Sequence, residues 1–317
     1  MNHVTIKLPD GSCQKVPSGT TVGDIADTIS PRLAKAALAA VVNEHLVDLA
    51  FVLKEDGTVR IITGDSPEAL SLYRHSTAHL LAAAVTSLFP DVQCGIGPAT
   101  DEGFFYDFIV AHPFVPEDLK TIEKKMQELV RQNLPYKREA WPKEEAKRFF
   151  SERGESLKCQ LIEEKTENQT EISCYTISNH DTFVDFCLGP HVPSTGKLKA
   201  FKLLSTSNAY WKGDAQNQPM QRIYGTAFPS TKTLQEHLNK LEEAKKRDHR
   251  KIGREQKLFL FHPWAPGATF WLAKGTVLWN RLADYMRSVL FPAGYVEIKT
   301  PLLFHKDLWS TSGHWEH

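Results

Sequence analysis

The segment between Pro67 and Pro90 constrains this chain most. Ser66-Pro67-Glu68 reads as a helix start with proline in the first helical position, and Pro90 stops the helix after Phe89. Leu80, Leu81, Ala84 and Leu88 recur at helical spacing and supply its buried stripe. Beside that stripe stand His75 and His79, one turn apart on the same face. The pair suits a metal, a proton relay or a polar pocket wall, and it suits two packed core histidines equally well. Ser76 occupies the place of the glutamate in the H-E-x-x-H signature, which removes a metalloprotease from consideration.

Around this helix the chain divides into an α+β multidomain arrangement. Residues 1–63 read as a small mixed unit. V-T-I-K-L and C-Q-K-V form a hairpin across P-D-G-S, and Thr20 or Thr21 caps a short helix. Pro31 opens a second helix, and the Asp56-Gly57 turn pairs F-V-L-K with T-V-R-I-I. Two hairpins wrapped around a helix suggest a β-grasp module.

Residues 64–228 read as an α+β unit. Its helices lie in the amphipathic P-E-D-L-K-T-I-E-K-K-M-Q-E-L-V and, opened by Pro142, in K-E-E-A-K-R-F-F. Its strand-like pieces are I-G-P-A-T, F-F-Y-D-F, L-K-C-Q-L-I and S-C-Y-T-I. Residues 229–257 read as one long polar helix carrying nine Lys and Arg against five Asp and Glu. Such a helix is a solvated face or tracks a phosphate backbone. Residues 258–317 turn aromatic, hold one helix and G-Y-V-E-I-K-T-P, and stop at S-G-H-W-E-H without a closing element.

Charge and cysteine usage narrow the classes. Lys and Arg number 38 against 38 Asp and Glu, so no global basic field points to nucleic acid, although a local one remains open. The first residues lack the positive and apolar regions of a signal peptide, and no apolar run is long enough for a membrane span. Five scattered cysteines without a C-x-x-C pair fit reduced thiols in a cytoplasmic protein. Neither G-x-G-x-x-G opening a helix nor a G-K-[ST] loop occurs, so nothing reads as a nucleotide triphosphate site.

A second ligand-bearing block changes the weight of the histidine pair. In V-D-F-C-L-G-P-H-V-P, Cys187 and His191 stand on a Gly-Pro turn that can aim both inward. Together with His75 and His79 they make a plausible tetrahedral zinc set. They equally make a metal-free pocket in which histidine, cysteine, Asp185 and a nearby lysine position a water. Spacing leaves both open. Between Lys197 and Arg222, five basic residues face one acid and interleave with Tyr210 and Trp211. That pattern suits a surface that grips phosphates and stacks bases, and also a sheet with core aromatics and solvated lysines.

Taken together, R-H-S-T-A-H-L-L, D-F-C-L-G-P-H-V-P and A-Y-W-K-G-D…Q-R-I-Y-G-T-A-F resemble the threonyl-tRNA synthetase family. The resemblance covers the whole chain in order. It implies a TGS β-grasp domain over 1–63, an editing domain shared with alanyl synthetases over 64–228, a linker helix over 229–257, and a truncated class II antiparallel-sheet core with motif 1 over 258–317. It implies a threonine–tRNA ligase that also removes serine from mischarged tRNA(Thr). Motifs 2 and 3 and the residues of a threonine-recognising zinc are then expected beyond His317. ATP, Mg2+ and one Zn2+ belong to that core, which makes the dimer, and no cofactor is expected in the covered part.

The resemblance also implies the site. His75, His79, Cys187 and His191 line the editing pocket, with Asp185 and Lys158 also in it. Lys158 and His75 position or polarise water and ester, Asp185 orients the seryl amine or hydroxyl, and Cys187 and His191 shape the serine pocket. His79 holds its neighbour's tautomer or the adenosine. In the alanyl relatives the analogous set binds zinc, whereas here a metal-free pocket is expected. Lys197, Lys199, Lys202, Tyr210, Trp211, Lys212 and Arg222 become the surface for tRNA(Thr). Two other readings are a zinc-dependent alanyl-type trans-editing deacylase and a non-catalytic TGS-type tRNA-binding protein.

Overall fold

A computed structural model describes residues 3–177 and 183–315. The chain forms two compact units, residues 1–238 and 239–317.

The first unit opens with a five-stranded sheet in the order β2-β1-β5-β3-β4. Its strands are β1 (His3–Lys7), β2 (Cys13–Pro17), β3 (Ala39–Val42), β4 (His45–Val47) and β5 (Gly57–Ile62), with α1 (Val22–Ile29) and α2 (Pro31–Ala36) between β2 and β3. Thr21 and Asp24 close a reciprocal capping box on α1, so the cap read from sequence has a physical basis. Val4, Ile6, Val22, Ile25 and Val59 form the core. The Asp56-Gly57 hairpin is corrected. β5 pairs antiparallel with β3 and parallel with β1, not with F-V-L-K. Asn43 takes over the turn by accepting from the Thr58 amide through its side chain and donating its own amide to the Thr58 carbonyl.

The next helix, α3 (Ala69–Leu88), starts two residues after Pro67 because Ser66 is spent in a turn, accepting the Thr63 amide on its hydroxyl. Fourteen of its twenty residues are buried, all round the cylinder rather than on one stripe, so it lies inside its domain. It packs on a four-stranded sheet ordered β11-β12-β7-β6. These strands are β6 (Gln93–Cys94), β7 (Phe104–Ile109), β11 (Ala200–Tyr210) and β12 (Pro219–Phe228), and α4 (Pro116–Gln132) packs against α3. A separate three-stranded sheet ordered β10-β9-β8 holds β8 (Tyr136–Pro142), β9 (Glu171–Ile177) and β10 (Phe183–Phe186). It is backed by α5 (Lys143–Glu152) and α6 (Ser156–Lys165) through Ala146, Phe150, Ile162 and Ile172.

Two strand readings are corrected here. L-K-C-Q-L-I lies in α6, where Lys158 and Ile162 fall one turn apart on a buried face. I-G-P-A-T holds only an isolated bridge from Ala99 to Phe104, since Pro98 removes a ladder donor.

The polar helix read over 229–257 is two helices, α7 (Thr231–Lys246) and α8 (His249–Glu255). Asp248 breaks the run by capping α8 through the Arg250 amide. The first unit ends within α7. In the second unit, β13 (Phe259–Leu260) and β14 (Phe270–Trp271) pair, followed by α9 (Ala273–Leu290) and α10 (Lys306–Thr311). Residues 294–301, read as motif 1 of an antiparallel core, carry no strand pairing among the described residues. The alternation V-E-I-K has no partner strand beside it, and Val296 and Ile298 are 83% and 76% exposed. Glu316 and His317, at which the sequence stops, lie outside the described residues.

Candidate active site

The pocket assembles where α3 faces the end of β10 and the loop after it. The helical spacing sets His75 and His79 side by side, rings edge-on at 5.0 Å. The 187–191 loop brings the other two groups against them. His191 stacks on His75 at 4.5 Å and meets His79 edge-on at 4.3 Å, and Cys187 Sγ lies 3.1 Å from His75 Nε2. One ligand atom from each of these four residues falls within 4.8 Å of the others.

Beneath the imidazoles lies a buried charge relay. Lys158, from α6, pairs with the Asp185 carboxylate on β10 and donates to the Tyr106 hydroxyl at 3.0 Å. Tyr106 in turn donates to Asp185 Oδ2 at 2.7 Å, and His79 Nδ1 stands 3.4 Å from the same oxygen. Both Asp185 oxygens are therefore held by the protein, and its side chain is almost wholly buried. The sequence expectation gives Asp185 the seryl amine or hydroxyl; in the structure its carboxylate meets protein groups. Asp185 holds Lys158, Tyr106 and His79 in place.

Burial sets the protonation states. Desolvation pushes His79 down to about 3, outweighing the attraction of Asp185. His191 falls well below its ordinary value for the same reason, with His79 and His75 adding to it, and His75 is lowered by burial too. Burial also lifts the Cys187 thiol to about 12, so it stays protonated. Lys158 feels burial first, which lowers it, but Asp185 and its neighbours more than offset that and raise it. The chamber holds three neutral imidazoles, a thiol and one fixed ammonium.

These residues also fit a metal. His191 Nε2 is buried without a hydrogen-bond partner among the described atoms, while its Nδ1 lies 3.2 Å from the Ser76 hydroxyl. His79 has Asp185 behind its Nδ1, the carboxylate backing common for a ligating histidine. Three imidazoles and a thiol are a donor set suited to zinc.

Sequence reasoning missed Tyr106, Tyr136, Tyr175, Ser76 and Asp48. Tyr136 stacks on His191 at 5.1 Å and donates to the Ser76 carbonyl, and the Ser76 hydroxyl accepts the Val192 amide. Tyr106 alternates inward in F-F-Y-D-F, a signal that marks burial but not chemistry.

The basic strip stands apart from this pocket and is only partly a free surface. Trp211 is 5% exposed, packs with Leu157 and Met220, and donates its indole N–H to Gln160. Arg222 donates two hydrogen bonds to Asp107 and lies over the Phe105 ring at 3.7 Å. Lys202 pairs with Glu123 and Lys212 with Glu164. Tyr210 is exposed, as is Lys199, while Lys197 donates to the Lys35 carbonyl.

Residues 4–63 match the family model of the TGS domain. Residues 172–224 match that of the threonyl and alanyl tRNA synthetase second additional domain. The chain is 49% identical over 314 residues to the threonine–tRNA ligase of Myxococcus xanthus (strain DK1622), covering 98% of this chain and 48% of that protein. It is 47% identical over 313 residues to that of Burkholderia multivorans (strain ATCC 17616 / 249), covering 99% and 49%. Against that of Azoarcus sp. (strain BH72) the identity is 48% over 310 residues, covering 98% and 48%. The chain spans about half the length of the curated relatives it matches.

Proposed function

Because this chain belongs to the threonyl-tRNA synthetase family, matching the amino-terminal half of its members, we propose that its histidine–cysteine pocket hydrolyses the ester of seryl-tRNA(Thr). The convergence of His75, His79, Cys187 and His191 above the Lys158–Asp185 pair carries this reading. The need for such a site is chemical. Serine lacks one methyl of threonine, and a missing methylene is worth only about 1–3 kcal/mol, or roughly 10–200-fold, to a binding pocket. A second site that destroys the mistaken ester supplies the remaining discrimination.

The residues divide the work as follows. The Lys158 ammonium, kept charged by Asp185, polarises the ester carbonyl and stabilises the oxyanion that forms on it. His75, neutral and the least buried of the three imidazoles, takes a proton from the attacking water. The proton then passes to the ribose oxygen as the acyl bond breaks, releasing serine and a tRNA with a free terminal hydroxyl. Asp185 holds His79 in one tautomer. Cys187 and His191 wall the side-chain space, where the extra methyl of threonine is refused. His75, His79, Cys187 and His191 would also hold a zinc ion, which when bound supplies Lewis-acid polarisation of the same carbonyl.

The same reading gives the polypeptide a part in ATP- and Mg2+-dependent attachment of threonine to tRNA(Thr) in the cytoplasm. A class II core carrying its own zinc would perform the ligation and form the homodimer. Lys197, Lys199 and Tyr210 are the strip residues left for the acceptor arm. Deacylation of seryl-tRNA(Thr), with threonyl-tRNA(Thr) as control and with and without EDTA, tests the proposal. Loss of serine alone, resistant to EDTA and abolished in His75→Ala, is the expected result. Loss that EDTA stops assigns the four ligands to zinc. Retention of serine with tRNA still bound overturns the hydrolytic reading and leaves a binding protein.

A further inference from the structure

We infer that Asp48, in the N-terminal β-grasp module, is a positioning residue of the hydrolytic pocket, so that the module forms part of the site. The inference rests on the hydrolytic reading above. Asp48 directly follows β4, far in sequence from the residues it serves. Its Oδ1 accepts the backbone amide of His191 at 3.0 Å, and its Oδ2 accepts the Tyr175 hydroxyl at 2.6 Å.

Those two donors hold the 187–191 loop of the pocket. His191 and Tyr175 are both almost fully buried, and the Tyr175 ring meets the His191 imidazole edge-on at 4.5 Å. The loop between Cys187 and His191 rests on Tyr175. A Cβ built at Gly189 would stand 1.9 Å from the Tyr175 hydroxyl oxygen, so nothing larger than glycine fits there. One carboxylate therefore fixes the surface beneath the loop and the backbone at the loop's end. On the other side, Cys187 is tied by its amide to the Ser173 carbonyl, and Val192 to the Ser76 hydroxyl.

A charged carboxylate is the group this junction needs. Two donors from different elements converge on it, and it offers a separate oxygen to each. An asparagine presents one acceptor oxygen and an amide, so it keeps the His191 amide but meets the Tyr175 hydroxyl only by turning that hydroxyl into an acceptor. Without Asp48, the His191 amide and the Tyr175 hydroxyl lose these partners at buried positions, and the loop regains freedom. The result is a displaced imidazole rather than a lost chemical group.

The test compares Asp48→Ala with Asp56→Ala in the whole chain. Asp56 lies in the same module and accepts the Thr5 amide at 2.7 Å, away from the pocket. In Asp48→Ala, kcat for seryl-tRNA(Thr) deacylation should fall ~10-fold or more with KM within about twofold, the pattern of misplaced groups. The ring resonances of His191, observed with 13C-labelled histidine, should shift. Tyr175→Phe should reduce kcat less, and adding it to Asp48→Ala should cost little more, because the two share one contact. Asp56→Ala should leave rate and resonances unchanged. Equal behaviour of Asp48→Ala and Asp56→Ala overturns the inference. Where Asp48→Ala loses its fold, Asp48→Asn serves, being equal in size but one acceptor oxygen short. If the unaltered chain leaves seryl-tRNA(Thr) intact, the hydrolytic reading fails on its own account. The His191 resonance then decides the role of Asp48 alone.

Discussion

His79 shows how burial decides chemistry at a single side chain. Desolvation lowers it from 6.5 to about 3, and His75 and His191 move the same way. Between those values the unfolded chain binds more protons than the folded one, so stability rises with pH through that window. Acidification below about pH 6.5 should therefore destabilise the domain, by up to about 1.4 kcal/mol per pH unit for each such histidine. Urea melts in EDTA from pH 7 to pH 4 would show this, and His79→Gln should flatten the slope. The Lys158–Asp185 pair gives a second residue-scale expectation. Removing one partner leaves a buried charge, so Asp185→Asn or Lys158→Met should each cost about 3–5 kcal/mol in urea unfolding. The double change should cost less than the sum of the two, which a double-mutant cycle would measure.

Among the elements, capping and apolar periodicity were readable and pairing partners were not. α1, α2, α3, α4 and α5 follow from Thr21, Pro31, the Pro67–Pro90 interval, Pro116 and Pro142, each a local signal. α6 was read as a strand because L-K-C-Q-L-I is too short for periodicity to separate helix from strand. The five pocket groups other than Lys158 stand out as His, Cys and Asp in two short blocks, and they converge in space. Lys158 came from resemblance alone. The tyrosines around them were invisible, because an alternating strand shows which side chains turn inward but not what they meet. The burial of Trp211 is equally invisible, since an aromatic beside lysines looks the same whether it faces a base or a core. Trp211→Ala should cost about 3–5 kcal/mol in unfolding free energy and leave tRNA affinity within twofold. Gly189→Ala should abolish deacylation with tRNA binding kept, because its backbone lies at φ +69° and its Cβ would strike Tyr175.

At the scale of the molecule, formal charge cancels, so the proposed tRNA contact has to rest on local fields. Lys199 is exposed and none of the described ion pairs includes it, whereas Lys212 is engaged by Glu164. Lys199→Ala should lower the slope of log K against log salt for tRNA binding by about 0.7–0.9. Lys212→Ala should change it less, and equal slopes would count against the distinction. The contacts of Asp48 with Tyr175 and His191 span 127 and 143 residues of chain. Pairings this distant close large loops and form after local helices and hairpins. The histidine–cysteine pocket is thus a late product of folding, completed only when a segment near the start finds one made much later. On the ribosome, a nascent chain would have made α1 to α6 before Asp48 could meet Tyr175 or His191. In refolding, hydrolysis should return after the helical signal has already recovered.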